Sequence, residues 1–333
     1  MSSKRRLDMK KALAICALVS LVVLGLTASG MAEKPIVLKF GHIHTSTSPM
    51  HRTIALAAEL IDHRTKGKLK MNIYPGAQLG KMLDQVEGVK MGTQDLTTTS
   101  GIDRFCPEYS LFNYPFLYRD EHHLYRVMNS ELGQKYVMDK MMQRHGIRII
   151  GMIYHGVRML TTNEKNPVTK PEDVKGLRLR TPDITAWIKA WQSVEANVTA
   201  FAWGELYMAL KQGIVDAQEN PLASIRSMKF YEVQKNIILT GHIIAYPFVM
   251  MNEKKFQSLG KELQDVLVQA FEDVRHYSIG HTKEEANKNI KFFREKGLNI
   301  VTVDRDEWQK AFSKAPDLFK GGREVYDKIQ AIY

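Results

Sequence analysis

Two cysteines in 333 residues leave almost no scope for a disulfide framework. Signatures of the common catalytic machineries are missing as well. There is no glycine-rich loop to cradle a phosphate, no G-x-S-x-G nucleophile elbow and no H-E-x-x-H helix. Internal repeats, low-complexity tracts and Pro/Ser-rich linkers are absent too. What remains is an ordinary globular composition, 44% apolar and 25% charged, which argues against disorder and against a polytopic membrane protein. At ~100–200 residues per domain, the length fits two domains with their own cores. A two-domain chain without a linker should cross between its lobes several times.

The amino terminus departs from this background. Lys4, Arg5, Arg6, Lys10 and Lys11 precede an apolar run from Ala12 to Leu26, and small residues follow at Ala28, Ser29, Gly30 and Ala32. That order is the order of a secretory signal peptide; a permanent anchor needs ~20 apolar residues, more than this run offers. Residues 1–32 are therefore expected to be removed after Ala32. Arg5-Arg6 hints at twin-arginine export, but its surroundings match weakly, and the general secretion route fits better. Loss of five basic residues and Asp8 lowers the formal charge from +11 to about +7. The remaining Lys and Arg alternate with acids and form no cluster, so nucleic acid is not an expected partner. Cys16 follows Ile15 inside the apolar run, a poor context for lipid attachment, and leaves with the signal. Cys106 then stands alone, without a disulfide partner in the mature chain.

Along the mature chain, strand and helix patterns alternate with short connections, the mark of a parallel α/β sheet. Val37 to Gly41, Leu69 to Tyr74 and Leu96 to Thr99 read as strands. Between them, Ser48-Pro49 looks like a cap followed by proline in the first helical turn. The helix it opens carries Ile54, Leu56, Ala57, Leu60 and Ile61; a second carries Leu83, Val86, Val89 and Met91 and ends near Gly92. Further strands are expected at 147–154, 177–180 and 214–217, helices at 184–191 and 205–212, and extended apolar stretches within 237–251. Residues 261–296 hold helical stripes without proline and close at Gly297. One continuous helix there would be ~50 Å long at ~1.5 Å per residue, long enough to brace two lobes; the alternative is a break near Gly280. Two α/β blocks place a ligand beyond the carboxyl ends of strands.

Candidate chemistry gathers at strand ends. In Tyr154-His155-Gly156-Val157-Arg158 a strand runs into a glycine turn with arginine at its lip. In Gly176-Leu177-Arg178-Leu179-Arg180-Thr181-Pro182, alternation puts Arg178 and Arg180 on one face, and Pro182 leaves Arg180 at the strand's carboxyl end. A guanidinium there can hold a carboxylate with two parallel hydrogen bonds, although each arginine alone reads as well as a surface ion pair. His44, Thr45 and Ser46 precede a helix start, where free N–H groups favour anions, and Thr99 and Ser100 end the third strand. Adjacent His122 and His123 point in different directions on a helix and make a poor metal pair; they read as a solvated helix start. Cys106 beside Pro107 reads as simply buried. No metal or cofactor site emerges, and nothing demands catalysis.

The passages YHGVRMLTTN, DVKGLRLRTPD, FAWGELYMALKQGIVDAQENPLA and MKFYEVQK resemble the solute-binding proteins of tripartite ATP-independent periplasmic (TRAP) transporters, the DctP-type family. LKFGHIH and KGKLKMNIYPGAQLG resemble that family's opening strands, and the long late helix resembles its lobe-spanning helix. The likeness covers nearly all of the mature chain, in order. G-L-x-x-R-x-P, E-x-Y-x-A-L and V-D-x-Q-E-N-P are specific in combination and modest singly.

The resemblance implies a two-lobed α/β clamshell: lobe I from 33–155 with 246–280, lobe II from 156–245 with 281–333. It implies that Arg180 binds the ligand carboxylate, that Arg158 assists, that Trp203 flanks the ligand where the family usually has Phe, and that Asn220 faces the cleft. His155 stands where Asn is usual, and Val198-Thr199-Ala200 replaces a common P-T-P. His44, Thr99, Ser100 and His155 complete the expected ligand contacts, whereas Glu205 and Glu219 are expected in structural pairs. The implied function is a periplasmic, non-enzymatic, monomeric subunit that captures a small organic acid. A uronate or aldonate is favoured, and a four-carbon dicarboxylate or an aromatic acid is the alternative. The subunit would deliver its cargo to a small and a large integral-membrane subunit. Rival readings are a sensor's ligand-binding partner, the binding protein of an ATP-driven transporter, and an exported hydrolase using His155 or Cys106.

Overall fold

The computed structural model describes residues 34–333; the expected signal peptide, with Cys16 and the cleavage point after Ala32, lies outside them. Eleven strands form two sheets. In chain order they are β1 (Ile36–Gly41), β2 (Leu69–Tyr74), β3 (Leu96–Thr99), β4 (Ile147–Met152), β5 (Gly156–Thr162) and β6 (Arg178–Thr181). They continue with β7 (Asn197–Ala200), β8 (Ala217–Pro221), β9 (Asn236–Ala245), β10 (Phe248–Asn252) and β11 (Asn299–Val301). The first sheet has the order β2-β1-β3-β10-β4 and the second β11-β9-β5-β8-β6-β7. Helices cover both, as in an α/β fold.

The local signals in the first sheet translate directly. Ser48 caps the helix Pro49–Arg64 by accepting from the His51 N–H, and Met50, Ile54, Ala57 and Ile61 turn one face of that helix inward. Gly92 ends the helix Met82–Met91 in the left-handed conformation, φ 75°, where glycine carries no Cβ penalty.

Strand direction differs from the parallel pattern expected of alternating elements. β1 and β3 are parallel, as are β6 with β7 and β8. But β10 is antiparallel to β3 and β4, and β5 is antiparallel to β8 and β9. The cause is how the chain travels between sheets. It leaves β4 and enters β5 through residues 153–155, and it returns from β9 to β10 through 246–247. The two crossings are bonded to each other, Ile153 N–H to Pro247 O at 3.0 Å and His155 N–H to Ala245 O at 2.9 Å.

The third connection is the long helix, continuous from Lys261 to Glu295 and unbroken at Gly280. Leu267, Ala270, Phe271 and Val274 are buried in its first half and Asn289 and Phe293 in its second. It packs on β4 and the helix Pro49–Arg64 of the first sheet, and on β5 and β11 of the second. Its Ser278 hydroxyl accepts from the Tyr154 N–H at 3.1 Å, tying the helix to one crossing.

Three further expectations need correction. Arg158 is not on a turn after β4 but inside β5, because the chain re-enters extended structure at once. The strand expected at 214–217 lies at Ala217–Pro221; its sequence A-Q-E-N-P has no apolar alternation, yet all five residues are buried. Neighbours satisfy its polar side chains, Gln218 Nε2 donating to Thr161 Oγ1 at 2.8 Å for example. His123 is not a solvated residue either. It is fully buried, with Nε2 3.0 Å from Ile329 O, because the final helix Gly322–Gln330 folds Val325 and Ile329 into one cluster with Leu117, Leu124 and Val127.

Two glycines test this packing. Gly280 is exposed in mid-helix with nothing near its missing Cβ. Gly280→Ala should therefore raise stability by about 0.5–1 kcal/mol through backbone entropy. Gly151 on β4 is different, since a Cβ there would stand 3.0 Å from the Phe271 Cβ of the long helix. Gly151→Val should cost about 1–3 kcal/mol by overpacking. Thermal unfolding of the two variants beside wild type reads both signs.

Candidate functional site

A cavity of about 490 Å³ lies where the carboxyl ends of β3 and β6 approach the sheet crossings. His44, Thr99 and Ser100 line it from the first sheet, and His155, Arg158, Arg180, Trp203 and Asn220 line it from the crossing and the second. All eight residues singled out from the sequence are thus brought to one hollow.

Arg180 and Arg158 do different things there. β6 alternates as its sequence requires. Leu179 is buried in a cluster with Trp191 and Leu160, and Arg178 forks onto Asp216 at 2.7 and 2.8 Å near the surface. Arg180 is only 2% exposed. Its Nε and Nη2 donate to the Phe201 carbonyl at 3.1 and 2.6 Å, which fixes the plane of the guanidinium. Among the described residues no carboxylate forms a salt bridge with it, and Nη1 is left over. Burial pulls its pKa down to about 9, opposed by Glu219 and assisted by Arg158; at neutral pH it is still a cation.

Arg158, by contrast, is already neutralised. It donates through Nε and Nη2 to the fully buried Glu219 carboxylate and through Nη2 to Asn220 Oδ1 at 3.0 Å. Its guanidinium carbon lies 4.5 Å from the Trp187 ring centroid. Burial would raise the Glu219 carboxyl, but the Arg158 charge and the hydrogen bonds from His242 and Arg158 hold it below the usual range. His242 Nε2 sits 3.1 Å from Glu219 Oε2. Glu219 is therefore a structural counter-ion, as is the half-exposed Glu205, which pairs with Lys81 at 2.8 Å.

His155 places Nε2 3.0 Å from Ser224 Oγ, and its ring meets that of His44 edge to face at 4.9 Å. Burial, then the Arg158 charge, lowers the His155 pKa to about 3. Burial with His155 and Arg158 holds His44 well below its ordinary value. Both rings are neutral at physiological pH. Trp203 stands edge-on to His44 at 6.2 Å and to Phe230 at 5.6 Å.

The reading from sequence missed the partners rather than the ligating candidates. Trp187, Phe201, Thr98 and Lys81 also line the cavity, and His242 is the second ligand of Glu219. No local pattern marks them, because each arrives from a different element. Val198-Thr199-Ala200 proves to be edge strand β7, paired with β6. Cys106 is fully buried, its thiol pushed up to about 11 first by burial and then by Glu108. It lies outside the cavity lining, so the hydrolase reading through Cys106 has no reactive thiolate. No cluster of three His, Cys, Asp or Glu side chains suited to a metal occurs among the described residues.

Two sheets joined by paired crossings and a long helix, with an interior cation facing a cavity at the joint, define a solute-binding protein of the two-lobed kind. The chain belongs to the bacterial extracellular solute-binding proteins, family 7 (DctP), whose model matches residues 40–320. The TRAP resemblance read from the motifs therefore holds. The chain is 32% identical over 282 residues to the 2,3-diketo-L-gulonate-binding periplasmic protein of Escherichia coli, covering 84% of each chain. Among solved structures it is similar to a TRAP periplasmic solute-binding protein from Roseobacter denitrificans with bound L-galactonate. That match has a TM-score of 0.82 and 27% identity over 90% of this chain and 100% of that one. Another such protein, from a Polaromonas species and bound to D-erythronate, has a TM-score of 0.83 and 29% identity over 89% and 99% of the two chains.

The two arginines should respond oppositely to truncation in ligand-free protein. Arg158→Met strands Glu219 in the interior without its guanidinium and should cost about 3–5 kcal/mol. Arg180→Met removes a buried charge with no counter-charge and should leave the midpoint of thermal unfolding unchanged or raised. Equal losses in both variants would mean that Arg180 is a structural group.

Proposed function

We propose that this chain is a periplasmic receptor that captures a sugar acid, an aldonate or uronate, and hands it to the small and large membrane subunits of a TRAP transporter. Arg180 is the carboxylate ligand. The observation that carries this reading is its charge state: a guanidinium 2% exposed, oriented by the Phe201 carbonyl and lacking an acidic partner, is stabilised by an incoming anion. A carboxylate reaching Nη1 supplies the missing counter-charge, and closure of the lobes removes the water that would screen it.

Arg158 and Asn220, held by Glu219 and by each other, form the rigid floor beside that carboxylate. Thr99, Ser100, His44 and His155 offer hydrogen-bonding groups for hydroxyls, and Trp203 supplies a flat apolar wall. This combination of one free cation with several neutral polar groups suits a hydroxylated monoacid. The relatives with bound L-galactonate and D-erythronate support the same class. The lobes we infer are 33–155 with 246–280 and 156–245 with 281–333, the last helix reaching back to pack on the first. Their hinge is the bonded pair of crossings at 153–155 and 246–247. Export with removal of residues 1–32, action as a monomer and return of the ligand chemically unchanged complete the reading.

A thermal-shift screen of organic acids should place aldonates or uronates highest, since a ligand that binds only the folded state raises its midpoint. With the best ligand, Arg180→Ala should weaken affinity by roughly 100-fold or more, as losing the partner of a desolvated carboxylate costs ~3 kcal/mol or above. Calorimetry that finds the variant as tight as wild type would remove Arg180 from the ligand.

A further inference from the structure

We propose that the cavity accepts one negative charge at neutral pH, and that it admits a second anionic group on the ligand only when the His44–His155 pair takes up a proton. This rests on the reading of the cavity as an organic-acid site and narrows it to a charge class.

The argument is a count of charges by element. Deep in the cavity β5 and β6 contribute two guanidiniums, Arg158 and Arg180, and behind Arg158 β8 contributes one fully buried carboxylate, Glu219. His242 on β9 is held between Thr240 Oγ1 at 2.7 Å and Glu219, and burial sets its pKa below the ordinary value, against the pull of Glu219. It adds no charge. The remainder is a single positive charge, at Arg180.

At the mouth, among the described residues, no cation is left free and Asp84 leaves one negative charge in excess. Lys81 pairs with Glu205 at 2.8 Å and Arg104 with Asp183 at 2.5 Å, and the Asp84 carboxylate accepts from the Lys81 backbone N–H at 2.9 Å. One carboxylate on the ligand therefore completes the interior balance. A second would enter a low-dielectric space with no cation left to meet it, which is costly.

Among the described residues that line the cavity interior, the groups able to change that count are the two histidines. They face each other across the junction of the sheets, 4.9 Å between ring centroids, and both line the cavity. The Nε2 of His155 is taken by Ser224, while its Nδ1 and both ring nitrogens of His44 have no hydrogen-bond partner among the described residues. Behind His155 a small pocket also holds His281 and Glu285 of the long helix, the carboxylate paired with Lys288 at 3.2 Å. His42 lies 6.1 Å from His44, and His51 bonds to His42 at 3.1 Å with Arg52 beside it. Each ring is kept neutral by burial and by the charge of Arg158. A second anion placed against them offsets that repulsion and draws in a proton.

The sign follows from linkage. Binding coupled to uptake of one proton strengthens about tenfold for each unit by which pH falls; uncoupled binding is flat. Two probes separate the cases. D-erythronate carries one carboxylate, and 3-sulfopropanoate carries a carboxylate and a sulfonate that does not itself accept a proton. Titration calorimetry from pH 8 to 5.5, each in two buffers of different ionisation enthalpy, counts the protons.

Erythronate binding should be nearly independent of pH with no proton taken up. The sulfonate should tighten about tenfold per pH unit with close to one proton taken up, and His44→Gln/His155→Gln should lose that uptake. The proposal is overturned if 3-sulfopropanoate binds at pH 7.5 as tightly as erythronate without a proton, or fails to bind at pH 5.5. Failure of erythronate and every other hydroxy acid to bind at any pH would instead bring down the organic-acid reading on which this rests.

Discussion

Glu219 carries one negative charge into the centre of the second sheet, and two guanidiniums lie within its reach. Arg158 takes it, through hydrogen bonds from Nε and Nη2 and with His242 on the remaining side. Arg180 is left with a backbone carbonyl. That unequal division sets the character of the site. A buried pair breaks roughly even against its desolvation cost, whereas a buried charge without a partner is a standing liability. The fold tolerates the liability because the empty side of Arg180 opens on the cavity. The carboxylate of the proposed ligand would supply the partner that the fold leaves out.

The backbone keeps this arrangement at a mechanical joint. Both strand crossings pass beside the cavity, and they are bonded to each other rather than to flexible loops. His155, at the end of one crossing, belongs to the cavity lining, and Pro247, at the other, does too. The long helix touches the crossing through Ser278 and runs on to the second sheet. In the proposed clamshell, the hinge residues would also touch the ligand space, so closure and ligand contact would be parts of one movement.

Charge at the mouth plays a smaller part. Lys81–Glu205 and Arg104–Asp183 join residues of the two sheets' neighbourhoods, but their side chains are half exposed, and ion pairs in water contribute ~0–1 kcal/mol. They shape the approach and cancel the local field. Under the proposed reading, discrimination would belong to the interior, where a single uncompensated guanidinium and neutral histidines lie away from bulk screening.

Residue order alone determined the helix caps, the alternation of β6 that separates Arg178 from Arg180, the continuity of residues 261–295 and the family to which the chain belongs. These are short-range facts: periodicity, a proline in a first turn, glycine after a last one, and motifs of fixed spacing. The eight cavity residues were legible too: the family motifs carry His155, Arg158, Arg180, Trp203 and Asn220, while His44, Thr99 and Ser100 were marked by their places before a helix start and at a strand end. Tertiary structure alone decided that Ala217–Pro221 is a strand, that Arg158 is spoken for and Arg180 is not, and that His123 is buried under the final helix. Each of these depends on partners far away in sequence: Glu219 on Arg158 and His242, His123 on Ile329. A polar strand has no apolar pattern to betray it, and a charge is free or satisfied only once the fold has brought its neighbours into place.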